Sequence, residues 1–406
     1  MSMRGLGLVA RFVLMVYVAR TLGLQAVGLF GLIYAGVAIA PSLLNMGIHY
    51  RLNRLMVGAP VYTVGRWLRD RAFMHLAFFV PLALLGISIL SQFQYLDQLE
   101  GWVVGVVVSI CIADVLLNEI NLALVAIARP ILSNSVFFFR SAFWIFPFVG
   151  LSGLYPHLQS LDMLLSFWLG GQIFAFIVFF VALRDWPWAR IFCSRTDFAF
   201  IFLDFGKSLM VCLSDLGAAT GQFVDRFILG VFLDFESLGV YVFFWSLAIG
   251  VYQLVYTAVV QIAFPRLVDL ARDSDRSAFR CLLVSEMRNV FLAASILAAI
   301  MFSSRDIIYM FAKRPELMAH DWLFAELLVG IVIKLVSDVA AYGLYACGHD
   351  RMLVAVNIMT PLFSVLFIVG VMQLGHFDLI GMAFVFTCLL VCVVRVYGLK
   401  SELIYS

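Results

Sequence analysis

The chain has 406 residues, 64% of them hydrophobic and only 13% charged, with a mean hydropathy of +1.04 and a formal net charge of +2. Soluble domains carry roughly 45–50% apolar and about 25% charged residues. A soluble core of this size cannot hide so much apolar surface behind so few charges, which excludes a soluble enzyme and makes lipid the solvent for most of the chain. No nucleic-acid partner, cofactor or metal is expected.

A helix crossing about 30 Å of hydrocarbon needs about 17–25 predominantly apolar residues. On that ruler, spans are predicted at 3–20, 27–48, 72–91, 101–128, 131–155, 161–183, 206–230, 237–263, 289–311, 321–346, 352–373 and 377–399. The first span begins like a signal peptide, but no small-residue cleavage site follows, so it is expected to be retained as a helix. Pro41, Pro81, Pro147 and Pro361 fall inside spans, where lipid-embedded helices tolerate them as kinks. The seven cysteines are odd in number and show no paired spacing, so no disulfides are expected. The six histidines are scattered without metal-ligand spacing.

Orientation follows from the arginines. Alternate connections hold Arg51, Arg54, Arg66, Arg69 and Arg71; Arg129; Arg184, Arg190 and Arg195; Arg266, Arg272, Arg276, Arg280 and Arg288; and Arg351. The intervening set is mainly acidic, with Asp97, Glu100, Asp162, Asp234, Glu236, Asp321 and Asp378, and with Arg20, Lys313 and Arg314 as exceptions. Positive connections stay in the cytoplasm, so both termini are expected there. The halves also repeat. Leu22–Phe30 matches Leu233–Tyr241 in shape, with Gly28 answering Gly239, and an arginine-rich connection follows one span later in each half (49–71 and 264–288). Asp114 of the fourth span answers Asp338 of the tenth. The expected fold is therefore an all-α integral membrane protein of about twelve transmembrane helices. They form two six-helix lobes, 1–195 and 196–406, related by a parallel repeat, an arrangement that puts a substrate path between repeats.

Ionisable residues inside spans mark the candidate site. On the seventh span, Asp204, Lys207, Ser208, Asp215, Gln222, Asp225 and Arg226 share a stripe about 100° wide. Asp114, Asn118 and Asn121 line one face of the fourth span, and Lys334 and Asp338 stand one turn apart on the tenth, with Tyr345 on the same face. Arg11 and Arg140 stand alone in the first and fifth spans. Arginine grips phosphate with a bidentate fork, so Arg11, Arg140, Lys207, Gln222, Arg226 and Lys334 are assigned to a cavity for an anionic substrate. Asp114, Asn118, Asp215, Asp225 and Asp338 are assigned to coupling by proton or sodium ion. The competing reading pairs each arginine with a carboxylate across the bundle, and Lys334 with Asp338 within its own helix.

The first two spans, Tyr17–Leu32, resemble the opening of Wzx-type oligosaccharide flippases, of the superfamily that includes multidrug exporters and the lipid II flippase. Asp225-Arg226-Phe-Ile-Leu-Gly, Leu238-Gly-Val-Tyr and Phe264-Pro265-Arg266 are similar to that family's seventh and eighth helices. The resemblance implies an inner-membrane transporter, not an enzyme, that moves undecaprenyl-diphosphate-linked oligosaccharide for O-antigen, lipopolysaccharide or capsule assembly. Membrane lipids surround it, and the polymerase of the same pathway is a candidate partner. A multidrug or cation antiporter would share the fold. A membrane glycosyltransferase or polymerase would need a larger outer loop than the connections here provide.

Overall fold

The computed structural model describes residues 2–92, 101–197, 205–272, 276–375 and 377–405, and among these the backbone is helical nearly throughout, with no strand. In the first half, α1 (Ser2–Thr21), α2 (Leu24–Leu44), α3 (Ile48–Met56), α4 (Val61–Gln92) and α5 (Gly101–Ala126) lead to α6 (Pro130–Phe138). A π-helical turn, Phe139–Phe143, joins α6 to α7 (Ile145–Leu154), and α8 (Leu161–Ala182) and α9 (Trp188–Cys193) follow. The second half holds α10 (Phe205–Phe232), α11 (Phe235–Val255), a second π turn (Tyr256–Val260), α12 (Gln261–Arg272), α13 (Arg276–Ser303), α14 (Arg305–Ala312), α15 (Asp321–Ala346), α16 (Asp350–Gln373) and α17 (Ile380–Tyr405).

Counting each π-joined pair as one stretch, each half has six long helical stretches among the described residues, as the sequence predicts. Eight stretches satisfy length and hydropathy criteria for crossing a bilayer. The remaining four, α1, α4, α10 and α15, carry charges within the helix. By contacts the chain forms two compact units, Met1–Leu14 with Ile33–Leu216 and Met15–Leu32 with Gly217–Ser406.

Local chemistry sets the joints. Gly23, at φ +93°, makes the left-handed turn between α1 and α2. Ser160 and Asp234 cap α8 and α11, accepting from the Met163 and Ser237 N–H groups. Pro147 sits at the third position of α7, just after the π turn, where no intrahelical N–H is needed.

The arginine-rich connections are not loops. In the first, α3 buries Ile48, Leu52 and Met56 at four-residue spacing, and α4 is already helical from Val61, so Arg66, Arg69 and Arg71 ride on helix. Arg69 and Arg71 are fully enclosed. Arg69 binds Asp70 and donates to the Ser194 carbonyl at 2.6 Å, fastening α4 to the segment after α9. In the second, α12 continues to Arg272 and α13 starts at Arg276. The ninth span therefore begins earlier than predicted, and the chain breaks at Ser304 before α14. Amphipathic helix persists where hydropathy has already fallen.

The first unit's core joins Ile48, Leu52, Met74, Leu117, Leu124 and Phe179. In the second, Phe244 of α11 stacks on Phe324 of α15 with ring centres 5.0 Å apart. The repeated glycines of the two halves meet here. A side chain on Gly28 would collide with the Phe235 carbonyl, and one on Gly239 with the Leu24 carbonyl. Small residues of this kind let helix backbones touch in a membrane.

Candidate functional site

In the first unit the π turn widens the helix at Arg140 and presents it to α5. Its Nε lies 3.2 Å from Asp114 Oδ1, with both side chains largely enclosed. Gln172 of α8, fully buried, donates to the same oxygen at 3.3 Å. Among the described residues Arg11 makes no ion pair, but its charge acts on Asp114. Arg140 Nη1 is buried with no hydrogen-bond partner, which leaves one donor of the fork uncommitted. Two cations thus face one carboxylate. Asn118, one turn along α5, is half-buried, and Asn121 accepts from Ser133. Asp215 does not meet an arginine; its Oδ2 lies 3.5 Å from His49 Nε2.

The second unit repeats this arithmetic around Asp338. Lys334 Nζ lies 3.1 Å from Oδ2, the predicted one-turn pair. Two partners were not anticipated: Arg395 of α17 reaches Oδ1 at 2.9 Å, and Tyr252 of α11 donates to Oδ2 at 2.9 Å. Arg395 also donates to Ser337 Oγ at 3.1 Å and Asn357 Oδ1 at 3.3 Å. Tyr345 is exposed; Tyr342, hydrogen-bonded to Tyr256, is the tyrosine nearer the cluster.

Asp225 and Arg226 form a separate buried group. Tyr241 donates to Asp225 Oδ2, and the guanidinium lies 5.0 Å from the Phe223 ring centre and 5.5 Å from that of Trp245. Arg226 is 3% exposed, so it is enclosed by aromatic rings in this conformation. Gln222 is half-buried on the same helix. Asp204 and the Lys207 side chain lie outside the described residues.

Sequence reasoning passed over Glu119, Arg71 and His75. Glu119 is 5% exposed on α5, in an ion pair of 2.6 Å with Arg71 and 3.8 Å from His75 Nε2. Its place beside Asn118, within an apolar span, was the available signal.

The carboxylate at the centre of each cluster is structural as well as polar. Asp338→Asn removes the counter-charge of both Lys334 and Arg395, so it is expected to destabilise by about 3–5 kcal/mol. Adding Lys334→Met should recover part of the loss. Thermal unfolding of the detergent-extracted protein measures both; an unshifted Asp338→Asn would contradict this arrangement.

No family model and no curated protein sequence matches the chain. Solved structures do match. An inward-facing multidrug resistance MATE family transporter of the MOP superfamily is similar with TM-score 0.74 at 13% identity, over 97% of this chain and 94% of that one. The lipid II flippase MurJ, inward closed, is similar with TM-score 0.70 at 11% identity, over 98% and 86%. The chain shares the fold of these two transporters. A further MOP transporter, from Pyrococcus furiosus, is described as having a binding pocket of reversed polarity; it is similar with TM-score 0.63 at 15% identity, over 99% and 92%. These likenesses extend over nearly the whole chain.

Proposed function

We propose that this protein flips an undecaprenyl-diphosphate-linked oligosaccharide, an O-antigen or capsule repeat unit, from the cytoplasmic to the periplasmic leaflet of the bacterial inner membrane. Ion-coupled alternating access drives it, and both termini lie in the cytoplasm. The observation that carries this reading is the charge of the two buried clusters. Asp114 faces Arg11 and Arg140, and Asp338 faces Lys334 and Arg395, so each cluster keeps one formal positive charge in excess. Such sites favour a multiply charged anion and repel a lipophilic cation. A diphosphate cannot cross hydrocarbon unaided, and arginine supplies the bidentate donors that replace its water. On α13, Arg276, Arg280 and Arg288 line an open groove of about 770 Å³, and among the described residues none of the three is ion-paired. This face offers a first contact for phosphate.

The second reading, a multidrug antiporter, draws on the MATE likeness at TM-score 0.74. Thermal shift separates the two. A short-chain prenyl diphosphate oligosaccharide at 100 times its Kd should stabilise the purified protein by about 2.7 kcal/mol, while tetraphenylphosphonium should leave it unshifted. The reverse pattern would establish the antiporter reading and overturn this one.

A further inference from the structure

The first unit contains a titratable cluster that the anion site does not use. Four helices build it: α3 brings His49, α4 brings Arg71 and His75, α5 brings Glu119, and α10 brings Asp215. Asp215 Oδ2 lies 3.5 Å from His49 Nε2. Arg71 Nη2 lies 2.6 Å from Glu119 Oε1, and His75 Nε2 approaches the same oxygen at 3.8 Å. His49 also feels the charges of Glu119 and Arg71 and the His75 ring, and Cys212 of α10 lies beside Asp215. His49 Nδ1 and both His75 ring nitrogens are buried without a hydrogen-bond partner.

With both imidazoles neutral, one arginine opposes two carboxylates, and the cluster is one positive charge short. Arg71 already pairs with enclosed Glu119, so the deficit falls on half-exposed Asp215 and its neighbour His49, and one proton bound there removes it. Among the described residues, no three His, Cys, Asp or Glu side chains converge so as to hold a metal ion. The exposures are graded as a route requires. Asp215 is 41% exposed, His49 18%, and Glu119 and His75 are 6% and 2%.

We propose that His49, His75, Glu119 and Asp215 form a proton-binding site, entered at Asp215, and that the proton is the coupling ion of this protein. The proton on Asp215 Oδ2 passes to His49 Nε2, leaving a carboxylate beside the new imidazolium. Glu119 offsets that positive charge, and His75 offers a second nitrogen for the same proton. In this conformation burial pushes the His49 imidazole below its ordinary value, with Arg71 and His75 adding to the depression and Glu119 and Asp215 opposing it. The enclosed state therefore favours release. Coupling rests on the transport reading above, whereas proton binding does not.

The test is imidazole nitrogen-15 NMR of the full chain, labelled in histidine and held in lipid nanodiscs, from pH 4.5 to 8.5. His49→Gln and His75→Gln assign the signals, and a free histidine derivative in the same buffer serves as the reference. His49 should titrate below that free imidazole. Removing one neighbouring negative charge by Asp215→Asn should weaken His49 protonation about tenfold, moving its midpoint down by about one pH unit. Glu119→Gln should also lower His49; Asp215→Asn, at a half-exposed position, keeps the test available where that buried change unfolds the protein. A His49 midpoint equal to that of the free imidazole, or unmoved by Asp215→Asn, overturns the proposal, as does an imidazole that stays neutral over the whole range. Intact titration with no response to the prenyl diphosphate would instead count against the substrate reading alone.

Discussion

Gly239→Val is expected to remove most folded protein from the membrane, the largest effect of any single substitution outside the charged clusters. Gly239 sits on α11 against the backbone of Leu24, and Gly28 sits on α2 against the Phe235 carbonyl and the Gly239 N–H. Each glycine thus occupies the space that the other's backbone needs. A Cβ at either position meets main-chain atoms, which cannot rotate away as a side-chain tip would. Overpacking a close-packed site costs about 1–3 kcal/mol, and more where backbone must move, out of a total stability of roughly 5–15 kcal/mol. Even Gly239→Ala should lower the thermal midpoint. Gly250, on the same helix, meets nothing within 4 Å of a would-be Cβ. Gly250→Ala should be neutral or stabilising by about 0.5–1 kcal/mol, the helix-propensity difference. Size-exclusion profiles of fluorescent fusions, with thermal midpoints, read the series. Equal behaviour of Gly239→Ala and Gly250→Ala would show that the helices have room to part.

The matching glycines of the two halves were legible because a repeat preserves sequence shape even where it preserves little identity. The spans were legible because lipid demands long apolar runs. What escaped was helix that lipid does not enforce. The starts of α4 and α13 and the end of α12 are amphipathic, so hydropathy falls there while hydrogen bonding continues. Among the site residues, Lys334 and Asp338 could be paired from spacing alone, since residues four apart share a helix face. Arg395 and Tyr252, which complete that cluster, lie 57 and 86 residues from Asp338, and no local rule links such distances. The scattered histidines misled for the same reason. His49 and His75 look unrelated in sequence, and only the packing of α3 and α4 on α5 brings both to Glu119.

Arg140→Ala is expected to deplete the protein, because it leaves Asp114 buried beside only the Gln172 amide and the more distant charge of Arg11. Breaking a buried pair from one side costs about 3–5 kcal/mol. Asp114→Asn errs in the opposite direction, leaving Arg140 without its counter-ion. The double variant Arg140→Ala/Asp114→Asn removes both charges while Asn still accepts from Gln172, so abundance should recover to near the native level. Transport should not recover with it. In the proposed function the guanidinium serves a phosphate as well as the carboxylate, and its buried Nη1 has no hydrogen-bond partner in the fold. Arg140→Lys keeps the charge against Asp114 but loses the fork, so it should retain abundance with reduced transport. Membrane immunoblots beside surface-glycan staining separate the two roles. A double variant that regains both protein and glycan would confine Arg140 to holding Asp114, and the excess positive charge of this cluster would then have no part in recognising the substrate.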